Sequence, residues 1–102
     1  MIKVITRHDE VVNQIFTFNN GWTVSVALGN GSYSSPRGHQ GLNPERHSVE
    51  VAVLDNNEDL ETRWVYENLY NRDIGNDVTG GVTSNELAEV MAYVARLPRM
   101  EE

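Results

Sequence analysis

Apolar and polar residues alternate in the first third of the chain in a way that predicts a β-hairpin. Strand-forming residues fill 11–18, and a second run over 22–28 alternates apolar with small polar side chains. We assign one face of this second run to the core, namely Trp22, Val24, Val26 and Leu28. Asn20-Gly21 separates the runs, and we expect it to form a tight turn of the primed types, where glycine accepts a positive φ. Residues 2–6 either form a short strand of their own or extend the first one.

The middle of the chain predicts one clear strand and one ambiguous element. Valines at alternate positions indicate a strand over Ser48 to Leu54, and an acidic turn follows at 55–59. For 60–70 we favour a strand through Arg63-Trp64-Val65-Tyr66, because aromatic and β-branched residues cluster there. A short helix is the competing interpretation. The stretch 71–81 is dense in Asn, Asp and Gly, which is typical of irregular structure.

The segment from Thr83 to Leu97 carries the strongest helical pattern of the chain. Thr83 as N-cap with Glu86 three residues later forms a capping box, and Pro98 ends the helix. Apolar residues follow at one-face spacing: Leu87, Val90, Met91, Val94 and Leu97. This helix is available to cover the apolar face of the sheet. The sequence therefore predicts an α+β fold: a small antiparallel β-sheet of two hairpins, covered by a C-terminal α-helix, in a single domain spanning 1–102.

Composition narrows the classes of function. The 102 residues include no cysteine, which excludes disulfides, thiolate metal sites and a cysteine nucleophile. Eight basic and fifteen acidic side chains give a net charge of −7, which repels nucleic acid and favours basic partners. The chain shows neither a signal-peptide pattern nor an apolar run of membrane-spanning length, so we expect a cytoplasmic protein without a membrane partner.

The segment 29–47 is the first candidate for a ligand site. It is rich in glycine and serine, and it carries a charge of +1 (two arginines, one glutamate), whereas the rest of the chain carries −8. Its candidate anion-binding residues are Arg37, His39, Arg46 and His47. The competing interpretation is a solvated surface loop. The histidine spacing matches no rigid metal-binding motif, so we expect neither a metal nor a cofactor.

Three further residues are candidates for a partner interface. Asp73 and Asp77 flank a short turn, and Tyr93 lies off the main apolar stripe of the predicted helix. The alternatives are an Asx-rich turn for the two aspartates and peripheral packing for the tyrosine. No catalytic triad or nucleophile elbow is present in the sequence, so we expect a protein that is not an enzyme.

A broader sequence pattern suggests a biological context. It comprises Phe16-Thr17-Phe18, Gly21-Trp22-Thr23-Val24-Ser25-Val26, Val49-Glu50-Val51-Ala52-Val53, Asp77-Val78-Thr79-Gly80 and Val94-Ala95-Arg96-Leu97-Pro98. In this order the motifs resemble small accessory proteins of tailed bacteriophages, and the resemblance covers most of the chain. It implies a phage product in the bacterial cytoplasm, and it transfers no functional residue.

The leading expectation is a non-enzymatic binding protein, a phage accessory, host-takeover or anti-defence factor that engages a host or defence protein. It acts alone or as a homo-oligomer. The alternative is a binder of a small anion or nucleotide that uses the Gly29-His47 segment.

Overall fold

The described residues form a five-stranded antiparallel sheet with two helices on one face. The computed structural model describes residues 1–7, 10–27 and 48–100. Each strand pairs with the next strand along the chain, so the spatial order is β1-β2-β3-β4-β5. The elements are β1 (Ile2–Arg7), β2 (Glu10–Thr17), β3 (Thr23–Ala27), β4 (Val49–Leu54), α1 (Thr62–Tyr70), β5 (Thr79–Val82) and α2 (Ser84–Ala95). The predicted α+β class is confirmed.

The first hairpin forms where the alternation predicts it, but its turn differs from the predicted type. Phe18 and Trp22 close the loop, with Phe18 N donating to Trp22 O at 2.9 Å, and Gly21 N donates to Phe18 O at 2.9 Å. Gly21 has a φ of +86°, whereas Asn20 does not have a positive φ. The connection is therefore a three-residue loop ending in a left-handed glycine, not a two-residue primed turn.

The strand favoured over Arg63–Tyr66 is wrong, because this segment belongs to helix α1. Thr62, Val65 and Tyr66 lie at helical spacing and are buried where α1 packs against β4. Their burial outweighs the β-propensity of the aromatic and branched side chains. Asn71 ends the helix in the left-handed region at φ 55°, and its backbone N–H bonds to the carbonyls of the last turn.

The second hairpin was expected to pair β4 with a strand over Arg63–Tyr66, and this partner strand is wrong. β4 pairs with β5, which lies inside the stretch 71–81 that the sequence marked as irregular. β5 is only four residues long and contains two glycines, so its composition is that of a loop. Val82 at its end is buried in the core and anchors the strand.

The core lies between the sheet and the two helices. α2 packs on β3 and α1 packs on β4. The buried apolar residues are Trp22, Val24, Val26, Val51, Val53, Val65, Tyr66, Val82, Val90 and Val94. Leu87, Met91 and Val49 pack against this cluster and are partly exposed. The predicted contact between the apolar stripe of the terminal helix and the apolar face of the sheet is therefore confirmed for the described residues, whereas Leu28 lies outside them.

Both ends of α2 are held by specific hydrogen bonds. At the N-terminus, Glu86 N donates to Thr83 Oγ1 at 3.3 Å, which is the predicted N-cap. At the other end, Asn20 Nδ2 donates to the carbonyls of Val94 at 2.8 Å and Leu97 at 2.6 Å. The loop of the first hairpin thus caps the helix and fixes it across β3. Within the described residues, no helix is long and apolar enough to cross a membrane.

Candidate partner-binding surfaces

An aromatic group lies where the two helices meet near the chain end. Trp22 on the sheet is buried, and its ring centroid lies 5.9 Å from that of Trp64 on α1. Trp64 in turn lies 6.5 Å from Tyr93 on α2. Trp64 remains 40% exposed, although its ring is flanked by two others. Such tilted pairs hold aromatic rings in a fixed orientation, so Trp64 presents a rigid apolar surface.

Two further exposed apolar residues come from segments near this group. Trp22 Nε1 donates to Pro98 O at 3.2 Å, so the chain end runs past the buried tryptophan. Two hydrogen bonds then tie Met100 to Asn56 in the turn before α1. Met100 and Leu60 are both exposed. We define the aromatic patch as Leu60, Trp64, Tyr93 and Met100.

Acidic residues are dense in the part of the chain that supplies Leu60 and Trp64. Residues 55–77 contain seven acids and two arginines, which gives −5. Asp73 is exposed, lies 3.7 Å from the exposed Arg63, and accepts a hydrogen bond from Gly75 N at 2.8 Å. Asp77 is exposed as well. The Asx-turn interpretation of Asp73 is therefore correct for its backbone contact, and its carboxylate still contributes charge to the surface.

A second apolar surface lies on β1, at one edge of the sheet. The register places Ile2 in one row with Phe16, Val24 and Val53, on the face that the helices cover. Val24 and Val53 are fully buried, but Ile2 is 65% exposed and Val4 in the next row is 48% exposed. The helices cover β3 and β4 and leave Ile2 and Val4 of β1 substantially exposed.

A polar network joins the two helices. Tyr66 Oη donates to Glu86 Oε2 at 2.8 Å, and Tyr70 Oη donates to Glu89 Oε1 at 2.7 Å. Arg72 bonds to Glu86 Oε1 at 3.1 Å and lies over both tyrosine rings, about 5 Å from each centroid. We call these five residues the helix brace. Its groups satisfy one another, and we assign it a structural role.

Burial and the neighbouring carboxylates raise the pKa of both tyrosines of the helix brace. For Tyr66, desolvation is the largest cause, followed by the hydrogen bond to Glu86; for Tyr70 the corresponding partner is Glu89. Both hydroxyls therefore stay protonated and donate hydrogen bonds at every physiological pH. The side chain of Glu86 accepts hydrogen bonds from Tyr66 and Arg72. These contacts replace the bond to the backbone N–H of Thr83 that a complete capping box would contain.

The acidic turn before α1 is built around a buried aspartate. Asp55 Oδ1 accepts hydrogen bonds from the backbone N–H groups of Asn57 at 2.8 Å and Asp59 at 3.0 Å. Burial, together with the charges of Asp55 and Asp59, raises the pKa of the Glu61 carboxyl. No group of three or more potential metal-ligating side chains occurs in the residues that the structure describes.

The structure describes three of the seven candidate site residues selected from the sequence. Arg37, His39, Arg46 and His47 lie outside the described residues. Tyr93 is half-buried beside Trp64, while Asp73 and Asp77 are exposed at the surface. Sequence reasoning missed Trp64, because a strand was favoured there, and it missed the exposed side chains of β1. A helical interpretation of 62–69 would have separated Trp64 from the buried Thr62, Val65 and Tyr66.

Comparisons with protein-family models, with curated proteins and with solved structures found no match for this chain.

Proposed function

We propose that this chain is a non-enzymatic binding protein whose aromatic patch engages a basic surface of another protein. The observation that carries the proposal is the exposed ring of Trp64, held between Trp22 and Tyr93. Rigid tryptophan and tyrosine side chains lose little entropy on binding and are the residues most often found at the energetic centre of interfaces.

The charge distribution supports a basic partner. The segment 55–77, with its charge of −5, contains the α1 part of the patch, so a partner with lysine or arginine around an apolar pocket would complement it. Opposite charges around an apolar contact accelerate association and reject acidic competitors. Nucleic acid does not fit this surface, because its phosphates would be repelled.

The resemblance to accessory proteins of tailed bacteriophages gives the proposal its context. In that context the partner is a host or defence protein in the cytoplasm of an infected bacterium, and the chain is a host-takeover or anti-defence factor. Such a factor needs affinity and surface complementarity, and it needs no catalytic group of its own.

The test combines capture from a bacterial lysate with one substitution in the aromatic patch. We expect the wild-type chain to retain a specific protein, and Trp64→Ala to weaken binding of that purified protein about thirtyfold, which corresponds to about 2 kcal/mol at an interface centre. Added salt should weaken the wild-type complex. The control is Asn85→Ala, an exposed residue on the first turn of α2, which should bind as the wild type does. Equal binding by the Trp64 variant and the wild type would exclude the aromatic patch as the interface.

A further inference from the structure

The outer edge of β1 carries backbone groups that point away from the sheet. Met1 and Thr17 exchange two backbone hydrogen bonds, N to O at 2.7 Å and 2.8 Å, so they form a hydrogen-bonded pair. In an antiparallel ladder such pairs alternate with non-bonded ones. Lys3 and Ile5 therefore direct their backbone groups at β2, whereas Ile2 and Val4 direct theirs outward. Among the described residues, β1 pairs with β2 alone.

The side chains of β1 make this edge attractive for an extended partner. Apolar side chains of β1 are exposed on both faces of the strand, with Ile2 and Val4 on the helix side and Ile5 on the other. Exposed apolar edges with unpaired backbone groups are templates for an added strand. An added strand would cover part of the apolar surface that the helices leave open.

Charge determines what kind of strand fits. β1 contains Lys3 and Arg7 and no acid, in a chain with a net charge of −7. It is the only strand or helix in the described structure with a net positive charge. A lysine within an edge strand discourages pairing with apolar or basic strands, because its charge would be desolvated without a partner. A carboxylate opposite Lys3 removes that penalty.

We propose that the edge of β1 binds an extended segment of a partner protein in which apolar and acidic residues alternate. This segment pairs with the outward backbone groups of Ile2 and Val4 as a sixth strand. Its apolar side chains lie beside Ile2 and Val4 on the helix side, and its carboxylates lie beside Lys3 on the other face. This surface is separate from the aromatic patch, and neither proposal depends on the other.

A second copy of the chain fits this edge less well than an acidic segment does. Its β1 has the same cations and supplies no carboxylate. In the register that pairs Ile2 with Val4 of the copy, the two Lys3 residues lie directly opposite each other, where like charges destabilise the pair. In the register that pairs Val4 with Val4 of the copy, Lys3 lies opposite Ile5 of the copy, and its charge stays unpaired.

Amide hydrogen exchange with a synthetic probe tests the proposal directly. The probe is a decapeptide of alternating valine and glutamate, and the control is the matching valine–lysine peptide. In the free protein we expect the Val4 amide to exchange rapidly, and the amides of Lys3 and Ile5 to exchange slowly because they bond to β2. The valine–glutamate peptide should slow exchange at Val4 about tenfold or more, and the valine–lysine peptide should leave it unchanged.

Substitutions on β1 separate strand addition from simple apolar contact. Val4→Pro removes the outward N–H and leaves the bonds to β2 in place, so we expect binding of the valine–glutamate peptide to weaken about tenfold. Val4→Ala keeps that N–H and should bind within about threefold of the wild type. Lys3→Glu should reverse the preference between the two peptides. Thermal unfolding of each variant verifies that the fold is retained, and Trp64→Ala should bind the peptide normally.

Several results would overturn this assignment. Unchanged binding by Val4→Pro would mean that a ligand docks on the apolar face without strand pairing, as an amphipathic helix does. Slow exchange at Val4 in the free protein would mean that a second copy or another part of the chain already covers the edge. Equal binding of both peptides, or of neither, would exclude selection of an acidic strand.

Discussion

Gly21 shows how one residue can serve both a turn and a tertiary contact. Its φ of +86° lies in the region that glycine tolerates best. A Cβ built at this position would lie 2.6 Å from Asn56 Cβ, closer than side chains approach one another. Arg99 also reaches this loop, donating to the carbonyl of Asn19 at 3.3 Å. Glycine is therefore required here by close packing as well as by backbone conformation.

We predict that Gly21→Ala lowers the free energy of unfolding by about 3 kcal/mol, combining left-handed strain with overpacking against Asn56. The matched control is Gly75→Ala. Gly75 has a φ of +72°, but nothing lies within 4 Å of its hypothetical Cβ, so that variant should lose only about 1 kcal/mol. Urea unfolding measures both. Equal losses at the two positions would show that Asn56 moves aside at little cost.

At the scale of elements, the helix brace explains how two short helices keep their relative position. Helices of nine and twelve residues have little intrinsic stability in water, so they depend on packing. Tyr66 combines a buried ring with a hydroxyl that reaches Glu86 on α2. Arg72 neutralises part of the charge of Glu86 and covers the tyrosine rings. The brace thereby also fixes the spacing between Trp64 and Tyr93 in the aromatic patch.

The raised tyrosine pKa values predict a loss of stability in alkali. The folded state binds the phenolic protons of Tyr66 and Tyr70 more tightly than the unfolded state, whose pKa lies near 10.0. This contribution is complete below pH 10 and decreases as the pH rises above that value. We expect the urea midpoint to fall above about pH 10.

The double variant Tyr66→Phe/Tyr70→Phe tests that assignment. It should be less stable than the wild type at pH 7, because two hydrogen bonds to carboxylates are lost. Its stability should then fall less steeply as the solution becomes alkaline. The control is Tyr93→Phe, which removes a hydroxyl outside the helix brace. If the double variant lost stability in alkali as steeply as the wild type does, the cause would lie elsewhere in the protein.

At the level of the whole molecule, two separate surfaces are available for partners. The helices cover β3 and β4, so the sheet extends beyond them at β1. The aromatic patch lies where the helices and the chain end meet, near the acidic segment 55–77. The element at the exposed edge is basic and the segment near the patch is acidic, so the two surfaces select partners of opposite charge.

The charge asymmetry of the whole chain also motivates a test of anion binding. The segment 29–47 carries +1 against −8 for the rest, and we expect an anion such as ATP to raise the melting temperature if that segment binds it. Arg37→Ala/Arg46→Ala should abolish that increase, because guanidinium–phosphate contacts are charge-assisted. The control Arg63→Ala/Arg96→Ala removes two cations elsewhere. If Arg37→Ala/Arg46→Ala showed the same increase in melting temperature as the wild type, the segment 29–47 would be excluded as the anion-binding site.

The sequence predicted the elements whose signals lie within a few residues. The hairpin of β2 and β3, strand β4 and helix α2 follow from alternation, turn chemistry and capping, and all of them are present. The contact between the apolar face of α2, which includes Val90, and the valines of the sheet was also predictable, because each element has one apolar face. Local patterns of this kind do not depend on where the rest of the chain lies.

The remaining features depend on contacts between residues that are distant in the sequence. Residues 63–66 form a helix rather than a strand because Val65 and Tyr66 are buried against β4. The glycine-rich β5 exists because β4 offers it a pairing edge. The exposure of Ile2 and Trp64 depends on how far each helix extends over the sheet, and no local pattern encodes that distance. Local backbone preferences and periodic patterns were enough to specify the periodic elements. Their pairing partners and exposed surfaces arose from contacts between residues far apart in the chain, whose energies exceed those preferences.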